Sequence, residues 1–173
     1  MHIRRAILVL LLTAAASVAT AASAPIEPFL GSYYGVGLVD DVDGDTRPVT
    51  IRETSVVIDP LAGGGFVLTW SAIHSEALNA PKMKTTRLRF MPAGKPGRYV
   101  SAGGAGTPTE RVGAEIDGST LRVFIEDTDP AGNRILQQWD RTLAGKTMVL
   151  DYRRVQQGAV TRVVRLTLGK LTD

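Results

Sequence analysis

Phe66-Val67-Leu68-Thr69-Trp70-Ser71 places its bulkiest apolar side chains on every second residue, with smaller or polar ones between them. The same pattern returns in Thr86-Arg87-Leu88-Arg89-Phe90-Met91, where Arg87 and Arg89 separate Thr86, Leu88 and Phe90. Successive side chains of an extended chain point to opposite faces, so each segment reads as a strand with one face buried. Working outward, residues 32–40, 49–59, 98–101, 111–116, 120–127, 135–142, 146–155 and 160–168 carry comparable alternation. From residue 25 onward, every stretch with apolar residues at helical spacing is soon interrupted by Gly or Pro. The fold class is therefore all-β, with about ten strands.

Turn-forming residues separate these strands at Asp43-Gly44, 62–65, 93–97, Asp117-Gly118, 129–133, Ala144-Gly145 and 156–158. Short connections join only antiparallel neighbours, and a long meander of twisted strands removes its exposed edges by closing on itself. The expected architecture is an antiparallel up-and-down meander of about 8–10 strands forming a closed or nearly closed barrel. A β-sandwich is the alternative; it needs longer crossovers, for which only 75–82 and 102–108 are long enough. Within 49–59, Val49 and Ile51 lie on one phase while Val56 and Ile58 lie on the other, which predicts a bulge near residues 53–55.

The N-terminus has the pattern of a secretory leader: Arg4 and Arg5, an apolar run over 6–19, and small residues over 20–24. Cleavage is expected after Ala21 or Ala22, giving a leader over 1–22 and a single domain over 23–173 in the periplasm or outside the cell. Arg4 and Arg5 leave with the leader, so the 20 basic residues become 18 against 17 acidic ones. A nearly neutral chain with dispersed basic residues does not suit nucleic acid. Cysteine is absent, so the core must hold the fold without disulfides, and thiol catalysis is excluded. Stable membrane insertion is not expected either: aromatics are only 6% of the chain, and Arg87, Arg89, Arg122, Arg153 and Arg165 fall within strands.

Pro28-Phe29-Leu30-Gly31-Ser32-Tyr33-Tyr34-Gly35-Val36-Gly37 enters the first strand through a Gly-x-aromatic step, Gly31 to Tyr33. This resembles the start of lipocalin-like (calycin) barrels, where Gly-x-Trp leads into the first strand. The chain also looks similar to exported proteins of Gram-negative bacteria with no assigned activity. The lipocalin resemblance covers about ten residues together with domain length and strand count, and it implies a barrel with a cavity for a small apolar ligand. It departs from that pattern between Tyr152 and Val160, where no helix precedes the last strand.

No catalytic constellation emerges. His74 is the only histidine after the leader, and no strained serine turn accompanies it. Asp41, Asp43 and Asp45 crowd one loop and are weak metal candidates, because Gly44 falls early and Arg52 occupies the place a bidentate Glu should take. Gly63-Gly64-Gly65 and Gly103-Gly104-Ala105-Gly106 open no helix and so make no phosphate cradle. Glu126 and Asp127 are adjacent on a strand and face opposite sides. No cofactor is expected. What remains is a row of bulky residues, Tyr34, Phe66, Leu68, Trp70 and Trp139, placed either to fill the barrel or to line a cavity for a small apolar or amphiphilic ligand. Gln137 and Arg141 share the phase of Trp139. If that face points inward, Arg141 needs an acidic partner or an anionic ligand. The competing function is a protein-interaction module, such as an inhibitor or an envelope-assembly partner, acting through the loops at 75–82 and 102–108.

Overall fold

The computed structural model describes residues 25–40, 50–75, 82–103 and 110–172, except for the side chains of 38–40, 50–53, 74–75 and 82. The expected leader, the Asp41-Asp43-Asp45 loop and most of both long loops lie outside the described residues. Ten strands follow one another as β1 (Gly31–Asp40), β2 (Thr50–Leu61), β3 (Gly65–Ser75), β4 (Lys82–Pro92), β5 (Arg98–Ser101), β6 (Arg111–Asp117), β7 (Thr120–Thr128), β8 (Arg134–Ala144), β9 (Thr147–Gln156) and β10 (Ala159–Lys170). Each pairs antiparallel with its sequence neighbours, and β1 pairs with β10, so the meander closes into a barrel. The sandwich alternative is thereby set aside. β9 and β10 are joined by a tight turn at Gln157-Gly158, both with positive φ, leaving no room for a helix before the last strand.

Alternation decides what the barrel contains. Tyr33, Val56, Ile58, Phe66, Leu68, Phe90, Tyr99, Leu121, Val123, Met148, Leu166 and Leu168 are all buried inside. At one end, Phe66 stacks on Phe90 with ring centroids 4.8 Å apart and meets the edge of Tyr99 at 5.0 Å. A single 3₁₀ turn, Glu27–Phe29, brings the fully buried Phe29 and the nearly buried Ile26 into this core. The Tyr33 hydroxyl donates to the Phe29 carbonyl at 3.0 Å, tying the turn to the first strand. This half of the barrel is filled.

The bulge expected near residues 53–55 is absent. β2 stays in unbroken register with both β1 and β3 across that stretch. Thr54 holds the inward phase, 4% exposed, in line with Val56 and Ile58. The change of phase expected from Val49 and Ile51 is matched by no shift in pairing at Ile51. The register shift that does occur lies between Val160 and Arg162, where β10 meets β9.

The closing seam depends on glycine. β1 and β10 pair at Tyr33 and Tyr34, and in the same register again at Val39 and Asp40, with Gly35 and Gly37 between. A Cβ on Gly35 would run into the Thr167 carbonyl oxygen and Leu168 Cδ2, and one on Gly37 into Leu166 Cδ2. Only a residue without a side chain lets the last strand lie this close to the first. Replacing Gly35 by Ala is expected to lower stability by about 1–3 kcal/mol, through overpacking at the seam. The urea midpoint followed by circular dichroism checks this, and an unchanged midpoint would show that the seam has space to spare.

Candidate functional site

Ten strands enclose a wider interior than the eight that side chains can just fill. In the half away from Phe29, several inward positions carry small side chains, Thr54, Ala72 and Thr86 among them. The consequence is a cavity of about 320 Å³. Its wall is built mainly from Trp70 on β3, Trp139 on β8 and Tyr152 on β9, with Val56, Ile125 and Val164 completing the apolar surface. The three aromatics form one continuous face: Trp70 and Trp139 have ring centroids 5.4 Å apart, and Trp139 and Tyr152 5.0 Å. The Tyr152 hydroxyl donates to Gln137 Oε1 at 3.1 Å. Lys84, Glu110 and Arg162 also border the cavity, Lys84 being exposed to solvent and the other two half-buried.

Arg141 forms the floor. On β8 it lies one inward step below Trp139, opposite Leu121 and Leu150, so it separates the cavity from the packed half. It is fully buried, and Nε and both terminal nitrogens of its guanidinium have no hydrogen-bond partner among the described residues. Its Cζ sits 5.5 Å from the centroid of the Trp70 ring. The nearest acid in sequence, Asp140, faces the other side of β8. There Arg122 Nε donates to Asp140 Oδ1 at 2.9 Å, and Gln138 Nε2 donates to the same oxygen at 2.8 Å. Burial raises the Asp140 carboxyl, but the hydrogen bonds from Arg122 and Gln138 outweigh it and hold the group below its ordinary value. Burial pushes the Arg141 guanidinium down to about 9, with only the Asp140 charge acting against it.

Of the residues singled out from sequence, Trp70, Trp139 and Arg141 line the cavity together. Phe66 and Leu68 point inward but are fully buried in the packed half below it. Tyr34 is on the outer face, 43% exposed, because the inward phase of β1 runs through Tyr33 and Gly35. Two adjacent tyrosines left that phase ambiguous. Tyr152, Thr54 and Ile125 were not anticipated as wall residues. The alternation of Met148, Leu150 and Tyr152 was the signal for the first; nothing marked the others as wall and not core. His74 is the penultimate residue of β3. Glu126 is engaged by Arg134 at 2.6 Å on the outside of β7 and β8. Among the described residues, no group of three or more His, Asp or Glu is placed to hold a metal ion, and no helix is long and apolar enough to cross a membrane.

No family model matches the sequence, and no curated protein matches it. Among solved structures, the chain is similar to Rv2717c from M. tuberculosis, with 15% identity and a TM-score of 0.53, over 86% of this chain and 98% of that one. It is also similar to fatty-acid-binding protein 1 of Echinococcus granulosus, with 15% identity and a TM-score of 0.46, over 84% and 99%. The first likeness establishes a shared fold.

A buried guanidinium without a partner costs stability. Its lowered affinity for protons means that the unfolded chain stays protonated where the folded chain does not, from about pH 9 upward. The penalty is therefore complete below pH 9 and relaxes as pH rises further. Arg141→Met is expected to stabilise the fold by about 1–4 kcal/mol at neutral pH. Urea titrations of both proteins from pH 7 to about pH 11 check this, and the advantage of the variant should shrink over the upper part of that range. A destabilised variant, or a constant advantage, would contradict an unpaired buried charge.

Proposed function

We propose that this chain is an exported, non-catalytic binding protein that holds one small apolar or amphiphilic molecule in the open half of its barrel. The supporting observation is the cavity itself. Bulky side chains fill one half of the interior, whereas the other half keeps about 320 Å³ beside a face of two tryptophans and a tyrosine. Ligand sites are typically of this kind, concave, predominantly apolar and furnished with a few placed polar groups, here Gln137, Thr54 and Arg141. Burial of apolar surface against the aromatic face supplies the affinity, and no bond is made or broken. Export is supported by the leader pattern of Arg4, Arg5 and the apolar run that follows.

Titration with the neutral fluorophore N-phenyl-1-naphthylamine tests the reading. Saturable binding at one site is expected, with quenching of the fluorescence of Trp70 and Trp139. Ala72→Trp places an indole in the cavity and is expected to abolish that binding while leaving the β circular dichroism spectrum unchanged. Binding that survives in a folded Ala72→Trp protein would place the probe elsewhere and remove the proposal.

A further inference from the structure

We infer that the molecule held in this cavity is a small organic anion, seated acid-first, with its acid group on the Arg141 guanidinium and its apolar body against Trp70, Trp139 and Tyr152. The inference rests on the cavity being a ligand site and adds the chemistry of the occupant. Arg141 is the largest fully buried side chain of the described residues, and every nitrogen of its guanidinium lacks a hydrogen-bond partner there. A side chain of that kind carries five N–H donors in one plane and no acceptor. Trp70 interacts through its ring, which satisfies part of the charge but none of the donors. The donors are left for an acceptor that the described protein atoms do not supply.

No described side chain fills that place. Asp140 is on the opposite face of β8 and is already bound by Arg122 and Gln138. Glu110 borders the cavity but makes no hydrogen bond to Arg141. Gln137, two inward steps up the same strand, has its carbonyl oxygen engaged by Tyr152. Among the described residues, Lys84 stands at the rim of the cavity and Arg141 at its floor, so an entering anion meets positive charge at both ends. A guanidinium fork matches the two oxygens of a carboxylate, sulfonate or phosphate, and it gains most where water is excluded. Position sets the orientation. Arg141 lies below the aromatic layer, so the acid group must pass the tryptophans first, leaving the body of the ligand beside them.

Two probes that share a skeleton separate this inference from the reading beneath it. 1-Anilinonaphthalene-8-sulfonate is N-phenyl-1-naphthylamine with one sulfonate added. The wild-type protein is expected to bind the sulfonate roughly 10- to 150-fold more tightly, the range for a hydrogen bond to a charged group. Arg141→Met should lose the preference for the sulfonate over the neutral probe; Arg141→Lys, which keeps the charge without the fork, should fall between. In the unmodified protein, 1-naphthoate should displace the bound sulfonate at lower concentration than 1-naphthol. Equal affinity for both probes in the wild type, or a preference that persists in Arg141→Met, would overturn the anion assignment while the cavity reading survives. Failure of both probes to bind would overturn the two together.

Discussion

Closure of ten strands fixes a circumference, and the alternate side chains of those strands must then fill whatever volume the circumference encloses. Everything distinctive in this molecule follows from how unevenly they do so. Phe66, Phe90, Tyr99, Tyr33 and the inserted Phe29 are buried together as the core of one half. Across the barrel's other half, threonine and alanine stand at inward positions where the packed half has phenylalanine and tyrosine. The difference in side-chain volume appears as the cavity. No loop or hinge is needed to create it.

Arg141 stands at the boundary between the two halves, and its placement opposes the forces that build the rest of the interior. Burial of a charge is unfavourable unless hydrogen bonds replace lost water, and here the wall supplies one aromatic ring and a carboxylate on its far side. The barrel tolerates the cost because the packed half is apolar throughout and the seam is tight enough to close the sheet. Stability given up at one residue, with only a ring contact in return among the described residues, is the physical signature expected of a group kept for a ligand.

The architecture was legible in the sequence because it rests on alternation, which survives without knowledge of any partner strand. Phe66, Leu68 and Trp70, or Thr86, Leu88 and Phe90, announce their common face directly, and the turn residues between strands leave only antiparallel neighbours. The site was legible in part. Trp139, Gln137 and Arg141 could be placed on one phase, and a buried arginine raises the question of its counter-charge from sequence alone. Two things were not readable. Tyr33 and Tyr34 are chemically alike, so the inward phase of β1 depended on the glycines that follow and on the seam they permit. Which inward residues are packed and which line space also depends on height along the barrel axis. Phe66 and Trp70 share a face, yet one is in the filled half and the other beside the cavity, and only the cross-strand register distinguishes them.

A crystal structure of residues 23–173, purified without added ligand, decides whether Arg141 is kept for a ligand. The account requires Arg141 to remain enclosed beneath Trp70 and Trp139, with electron density for a bound anion or for ordered water on its guanidinium nitrogens inside an otherwise unfilled half-barrel. A guanidinium turned out to bulk solvent, or paired with an acidic side chain from a segment folded into the cavity, would contradict it.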